Sequence, residues 1–139
     1  MKSVAMIPAR MGSQRLPKKN LADFHGSPLI VHAIRKCFAT KLFDEVWVNS
    51  EHPDFGPIAE AEGAQFHQRP EELGNNNATS EQFIAEFLEK RDCTFVYQVH
   101  SIAPLLSTAD LTRFVAEMQT DKHDALMSVV DENLECLYK

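Results

Sequence analysis

The sequence predicts an α/β protein in which helices cover a mostly parallel sheet. Three observations carry this. Short apolar runs suited to strands alternate with longer segments whose apolar residues recur at helical spacing. Residues that cap or stop helices stand at the junctions. A cationic loop with glycine and serine follows the first strand, where open α/β sheets place their ligand loops.

Taken in order, residues 2–7 read as the first strand, followed by the cationic loop. Ser27-Pro28 predicts a helix start, with serine as cap and proline in the first turn. Leu29, Ile30, Ala33, Ile34, Cys37 and Phe38 then mark its buried stripe. A second strand is expected over residues 45–49, and a short helix over 55–62 that stops at Gly63. A brief third strand follows over 65–67, then a polar loop over 69–78 containing Asn75, Asn76 and Asn77. Thr79 opens the next helix, with Gln82 completing a capping box and Phe83, Ile84, Phe87 and Leu88 facing the core. Residues 95–99 predict a fourth strand. Ser107 or Thr108 caps a helix to about Gln119, with Leu111, Phe114, Val115 and Met118 inward. A fifth strand is expected over 124–130, and residues 135–138 read as the start of another. The chain stops there without a closing turn or helix, which predicts truncation at the C-terminus.

Composition narrows the function classes. With 44% hydrophobic and 24% charged residues, the 139-residue chain has the balance of an ordinary soluble domain with a real core. No apolar run approaches a bilayer span, and the opening Met-Lys-Ser-Val-Ala-Met-Ile-Pro is too short an apolar run for a signal peptide. Cys37, Cys93 and Cys136 are scattered without metal-ligand spacing, which predicts reduced thiols in a cytoplasmic protein. A net charge of −6 argues against a general nucleic-acid binder.

The cationic loop stands out against that charge. Residues 8–21 carry Arg10, Arg15, Lys18 and Lys19 and no acid, which leaves −10 for the rest of the chain. Arginine offers a planar fork to phosphate oxygens and lysine a compact charge. Gly12 lets the backbone approach a ligand and supplies an N–H donor. Phosphate is therefore the expected ligand, the alternative being a solvated basic loop that binds none. Neither a Walker A sequence nor a Gly-x-Gly-x-x-Gly fingerprint is present. Lys18 is expected to be freely solvated. His100 and Ser101 have no acid placed to complete a nucleophile triad, so a hydrolase is not indicated. His52-Pro53-Asp54 reads as a turn.

Ile7-Pro8-Ala9-Arg10-Met11-Gly12-Ser13, with Leu16-Pro17-Lys18-Lys19-Asn20-Leu21, resembles the N-terminal signature of acylneuraminate cytidylyltransferases (CMP-sialic acid synthetases). These enzymes are related to the cytidylyltransferases of the eight-carbon sugar acid Kdo. Lys19-Asn20 leans towards the sialic-acid branch and Arg15-Leu16-Pro17 towards the Kdo branch, and Gln14 replaces a lysine common in sialic-acid enzymes. The resemblance continues in order through Gly26-Ser27-Pro28-Leu29-Ile30, Val46-Trp47-Val48-Asn49-Ser50, Arg69-Pro70-Glu71-Glu72-Leu73 and Ala78-Thr79-Ser80. It ends with Gln98 and Ala103-Pro104-Leu105, where two residues are inserted and Leu106 stands at a position usually held by arginine.

The resemblance implies a three-layer, Rossmann-like nucleotide-diphospho-sugar transferase fold. Residues 1–139 would form one nucleotide-binding domain, incomplete relative to the family. It also implies transfer of CMP from CTP to an acidic 2-keto sugar with release of pyrophosphate. The open alternatives are a CTP- or CMP-binding module without turnover and a Kdo-type or other sugar nucleotidyltransferase. Arg10 and Lys19 would carry catalysis at the triphosphate. Ala9, Gly12, Ser13, Arg15, Asn20, Arg69 and Ser80 would join them in binding the nucleotide, and Gln98 would bind the sugar. Mg²⁺ is implied as cofactor, although no paired carboxylates match its ligands; Asp131 and Glu132 are adjacent and would point oppositely along an extended segment. The full-length family implies a homodimer in the cytoplasm, with neither nucleic acid nor membrane as partner.

Overall fold

The computed structural model describes residues 1–120 and 122–129. Four parallel strands form the central sheet: β1 (Ser3–Pro8), β4 (Glu45–Ser50), β5 (Gln65–Gln68) and β6 (Phe95–Gln98), in the order β5-β4-β1-β6. Between β1 and β4 lie a two-stranded antiparallel hairpin, β2 (Asp23–Phe24) and β3 (Ser27–Pro28), and helix α1 (Leu29–Thr40). Helices α2 (Phe55–Ala61), α3 (Ser80–Lys90) and α4 (Thr108–Met118) complete the described elements.

Alternation along β1 builds the layers. Ala5 and Ile7 face one side and join Val46, Val48 and residues of α1, α2 and α4, among them Ile30, Ile34, Phe55, Leu111 and Val115. Val4 and Met6 face the other side, with Trp47 beside them and Phe87 of α3 above. Strands buried on both faces read as near-continuous apolar runs, which is why Val4-Ala5-Met6-Ile7 carries no polar residue. The three-layer, Rossmann-like α/β architecture expected from the sequence is observed. The expected capping box of Thr79 with Gln82 is in place on α3, and of the two candidate caps for α4 it is Ser107 that serves, forming a box with Asp110.

Four local expectations need correction. Ser27 does not cap α1. Ser27 and Pro28 are extended in β3, and the first helical amide, from Leu29, donates to the Ala22 carbonyl at 2.9 Å. His25 (φ 49°) and Gly26 (φ 85°) make the two-residue turn of the hairpin, whose twist requires positive φ at both positions. Phe38 and Leu88 are 43% and 42% exposed rather than core. Each lies about 100° around its helix past a fully packed residue, Cys37 or Phe87, and so turns off the sheet. Residues 124–129 form no strand: no neighbour pairs with them among the described residues, and Met127 and Val129 are exposed. Val130 and the expected strand at 135–138 lie outside the described residues, as do Cys136, Asp131 and Glu132.

Cys37 and Cys93 are free thiols. Burial pushes the Cys37 thiol up to about 12, so it packs as a small apolar group and is inert. Among the described residues no helix is long and apolar enough to cross a membrane.

Candidate nucleotide-binding cleft

The strand order reverses between β1 and β6. The chain runs outward from β1 to β4 and β5, then returns to β6 on the opposite side of β1. At such a switch point the loops leaving the two strands diverge and open a crevice at their carboxyl ends. A cleft occupies this place. Pro8, Ala9, Arg10 and Ser13 line it from the loop after β1, and Gln98, His100, Ser101 and Ile102 from the segment after β6. Lys19 and Asn20 complete the first wall; Arg69, Ser80 and Phe83 close the side towards β5 and α3.

Eight of the ten sequence-derived site residues thus meet in one cavity: Ala9, Arg10, Ser13, Lys19, Asn20, Arg69, Ser80 and Gln98. Gly12 and Arg15 are exposed on the same loop but do not line it, and Lys18 is solvent-exposed in a left-handed conformation. Among the described residues no carboxylate lines the cleft, whereas three cations do. On a chain of net charge −6 this concentrates positive potential at one place.

Each polar side chain has a defined local duty. The Arg10 guanidinium donates through Nη1 to Asn76 Oδ1 at 2.7 Å, which joins the cationic loop to the polar loop before α3. Lys19 makes no salt bridge among the described residues. Buried Asn20 donates to the Arg10 carbonyl at 3.2 Å and accepts from the Ser101 hydroxyl at 2.5 Å, which clips the loop after β1 to the segment after β6. Gln98 donates to Ser80 Oγ at 3.4 Å across the floor, from the end of β6 to the first turn of α3.

Arg69 is only 4% exposed. Its Nη1 donates to the Asn49 carbonyl (3.2 Å) and Oδ1 (3.0 Å), and its Nη2 to the Ala9 carbonyl (3.1 Å) and Glu51 Oε2 (3.5 Å). The guanidinium also sits 4.6 Å from the centre of the Phe83 ring. Its buried Nε has no protein acceptor. Burial lowers its pKa, yet an arginine stays charged at any physiological pH. Arg69 therefore ties the ends of β1, β4 and β5 together while lending its charge to the cleft.

Sequence reasoning missed Asn49, Glu51, Asn76 and Phe83, and set His100 and Ser101 aside after rejecting a hydrolase triad. Asn49 and Ser50 carry a usable signal, since they end β4, the strand adjacent to β1. His100 stands at the exposed rim of the cleft, and partial desolvation by the neighbouring walls pushes its imidazole below the ordinary histidine value. The Mg²⁺ implied by the resemblance finds no ligand set among the described residues: no group of three His, Cys, Asp or Glu side chains there could hold a metal ion.

The topology and charge of this cleft are those of the nucleotide-binding α/β class. Sequence comparison narrows the class: residues 4–136 match the cytidylyltransferase family, and the chain belongs to that family. It is 32% identical over 127 residues to the N-acylneuraminate cytidylyltransferase A of Danio rerio, covering 91% of this chain and 30% of that protein. It is 34% identical over 113 residues to a pseudaminic acid cytidylyltransferase of Campylobacter jejuni, covering 77% and 49%. A solved CMP:2-keto-3-deoxy-manno-octonic acid synthetase complexed with CTP superposes with a TM-score of 0.77 at 26% identity, over 87% of this chain and 48% of that one. The chain thus spans a third to a half of the length of these relatives.

Proposed function

We propose that the protein is a cytidylyltransferase that moves CMP from CTP to an acidic 2-keto sugar of the sialic-acid type and releases pyrophosphate. The observation that carries this reading is the convergence of Arg10, Lys19 and Arg69 with Ser80 and Gln98 in one cleft. Support comes from the named relatives, two of which are cytidylyltransferases named for nine-carbon sugar acids and one a CMP-sugar synthetase complexed with CTP.

In this scheme the sugar's anomeric hydroxyl attacks the α-phosphorus. A new P–O bond forms, the bond to the β-phosphate oxygen breaks, and its electron pair leaves with pyrophosphate. The hydroxyl proton is released. Arg10 and Lys19 bind the triphosphate and stabilise charge growing on its oxygens, an electrostatic effect that strengthens in a water-poor cleft. Backbone amides of Gly12 and Ser13, with Arg15 at the loop's outer edge, complete the phosphate contacts. Asn20 and Ser80 receive base and ribose, and Gln98 orients the sugar acid. Ala9 supplies the backbone approach and Arg69 the buried charge. A cytoplasmic homodimer, with neither nucleic acid nor membrane as partner, completes the reading; the net charge of −6 supports the second part.

The test is pyrophosphate release with CTP, UTP, GTP or ATP against N-acetylneuraminate, pseudaminate, Kdo and a sugar phosphate. Release should require CTP together with one of the sugar acids, and Arg10→Ala should lower it by about a hundredfold. Equal use of UTP or GTP with a sugar phosphate would assign the chain to another nucleotidyltransferase activity. CTP binding without release would make it a binding module.

A further inference from the structure

An acid stands against the back of this cationic cleft, and simple electrostatics makes it the wrong residue there. Glu51 follows β4, and its side chain is 11% exposed. A carboxylate that close to a bound triphosphate would repel it. We propose that Glu51 is the positioning residue of the cleft, holding the cationic loop and Arg69 in the geometry that receives the nucleotide's phosphates. The proposal rests on the reading of the cleft as a triphosphate site.

Its contacts converge from separate parts of the chain. Oε1 accepts from the Met11 backbone amide at 2.7 Å, and Oε2 accepts from the Ser50 hydroxyl at 3.3 Å and Arg69 Nη2 at 3.5 Å. The Met11 amide belongs to the peptide that joins Arg10 to Met11. Fixing it sets where the Arg10 side chain leaves the loop and how the next amides, of Gly12 and Ser13, are presented. A backbone N–H bonded to an ionised carboxylate is held about twice as strongly as by a neutral acceptor. Gly74 makes room for this carboxylate. A Cβ at that position would overlap the Glu51 side chain, although the backbone conformation there suits any residue. Arg69 balances the buried charge from the opposite side.

The two roles open to Glu51 predict opposite signs. As a bystander charge, its removal would tighten triphosphate binding by roughly fivefold. As the positioning group, its removal weakens binding. The experiment is calorimetric titration of CTP into wild type, Glu51→Ala, Glu51→Gln and Gly74→Ala, each shown to be folded by its thermal melt. Amide NMR of the same proteins is recorded without ligand. Glu51→Ala should bind about tenfold more weakly, the value of one charge-assisted hydrogen bond. Glu51→Gln keeps a neutral acceptor for the Met11 amide and should recover about half of the loss on the free-energy scale, binding roughly threefold more weakly than wild type. Gly74→Ala should weaken binding while leaving the charge in place. Binding by Glu51→Ala equal to or tighter than wild type overturns the proposal. Should wild type bind no nucleotide, the phosphate reading fails and the Met11 amide decides separately. Its resonance should move on Glu51→Ala and largely return in Glu51→Gln; an unmoved resonance overturns the positioning role.

Discussion

Arg69→Ala should destabilise the fold by about 3–5 kcal/mol, the range for breaking a buried charge pair by removing one partner. The substitution strips the Asn49 carbonyl and Oδ1, the Ala9 carbonyl and Glu51 Oε2 of a shared donor. It leaves the Glu51 carboxylate largely enclosed without its counter-charge. It also empties the volume over Phe83. Arg69→Lys restores the charge but not the fork, since one ammonium cannot reach three strand ends, and should recover less than half of the loss. Urea unfolding followed by circular dichroism measures both. A midpoint for Arg69→Ala within error of wild type would show that the network around Arg69 carries no net stability.

Phe87→Ala should cost about 3–5 kcal/mol for a different reason. Phe87 is fully buried on the α3 face of the sheet, and it anchors α3 against Val4, Met6 and Trp47. Its ring meets Trp47 edge-on at 5.9 Å and His67 at 5.2 Å between centroids, so truncation removes aromatic contacts as well as area. Phe87→Leu retains most of the volume and should cost under about 1.5 kcal/mol. The loss should appear as a lower denaturant midpoint with an unchanged slope. Because α3 also carries Ser80 and Phe83 into the cleft, saturating CTP should raise the midpoint of the variant. A bound nucleotide stabilises only the folded state. A midpoint for Phe87→Ala equal to that of wild type would place the second core elsewhere.

What the sequence made legible follows from how local each signal is. The Val4-to-Ile7 run, the Thr79–Gln82 capping box and the Gly63 stop act within a few residues, and each appears where expected. The cleft was legible for a topological reason. Residues that follow parallel strands collect at one end of the sheet, so Arg10 after β1 and Gln98 after β6 meet although far apart in sequence. Two-residue strands such as β2 and β3 leave no period to read, and Ser27-Pro28 mimics a helix start. The apolar run at 124–129 suits a strand by composition, but a strand also needs a neighbour to pair with. Glu51 and Asn76 were out of reach because their partners, Met11 and Arg10, lie 40 and 66 residues away. Chain position alone does not say which loop folds against which.

The central claim is that the cleft between β1 and β6 selects CTP. It is tested most directly by calorimetric titration of the folded chain with CTP, UTP, GTP and ATP, repeated on Arg10→Ala and Lys19→Ala. The account predicts CTP binding at least about tenfold tighter than that of the other three, and each substitution should weaken it by about tenfold or more. Equal affinity for all four nucleotides, or CTP binding untouched by both substitutions, would contradict it.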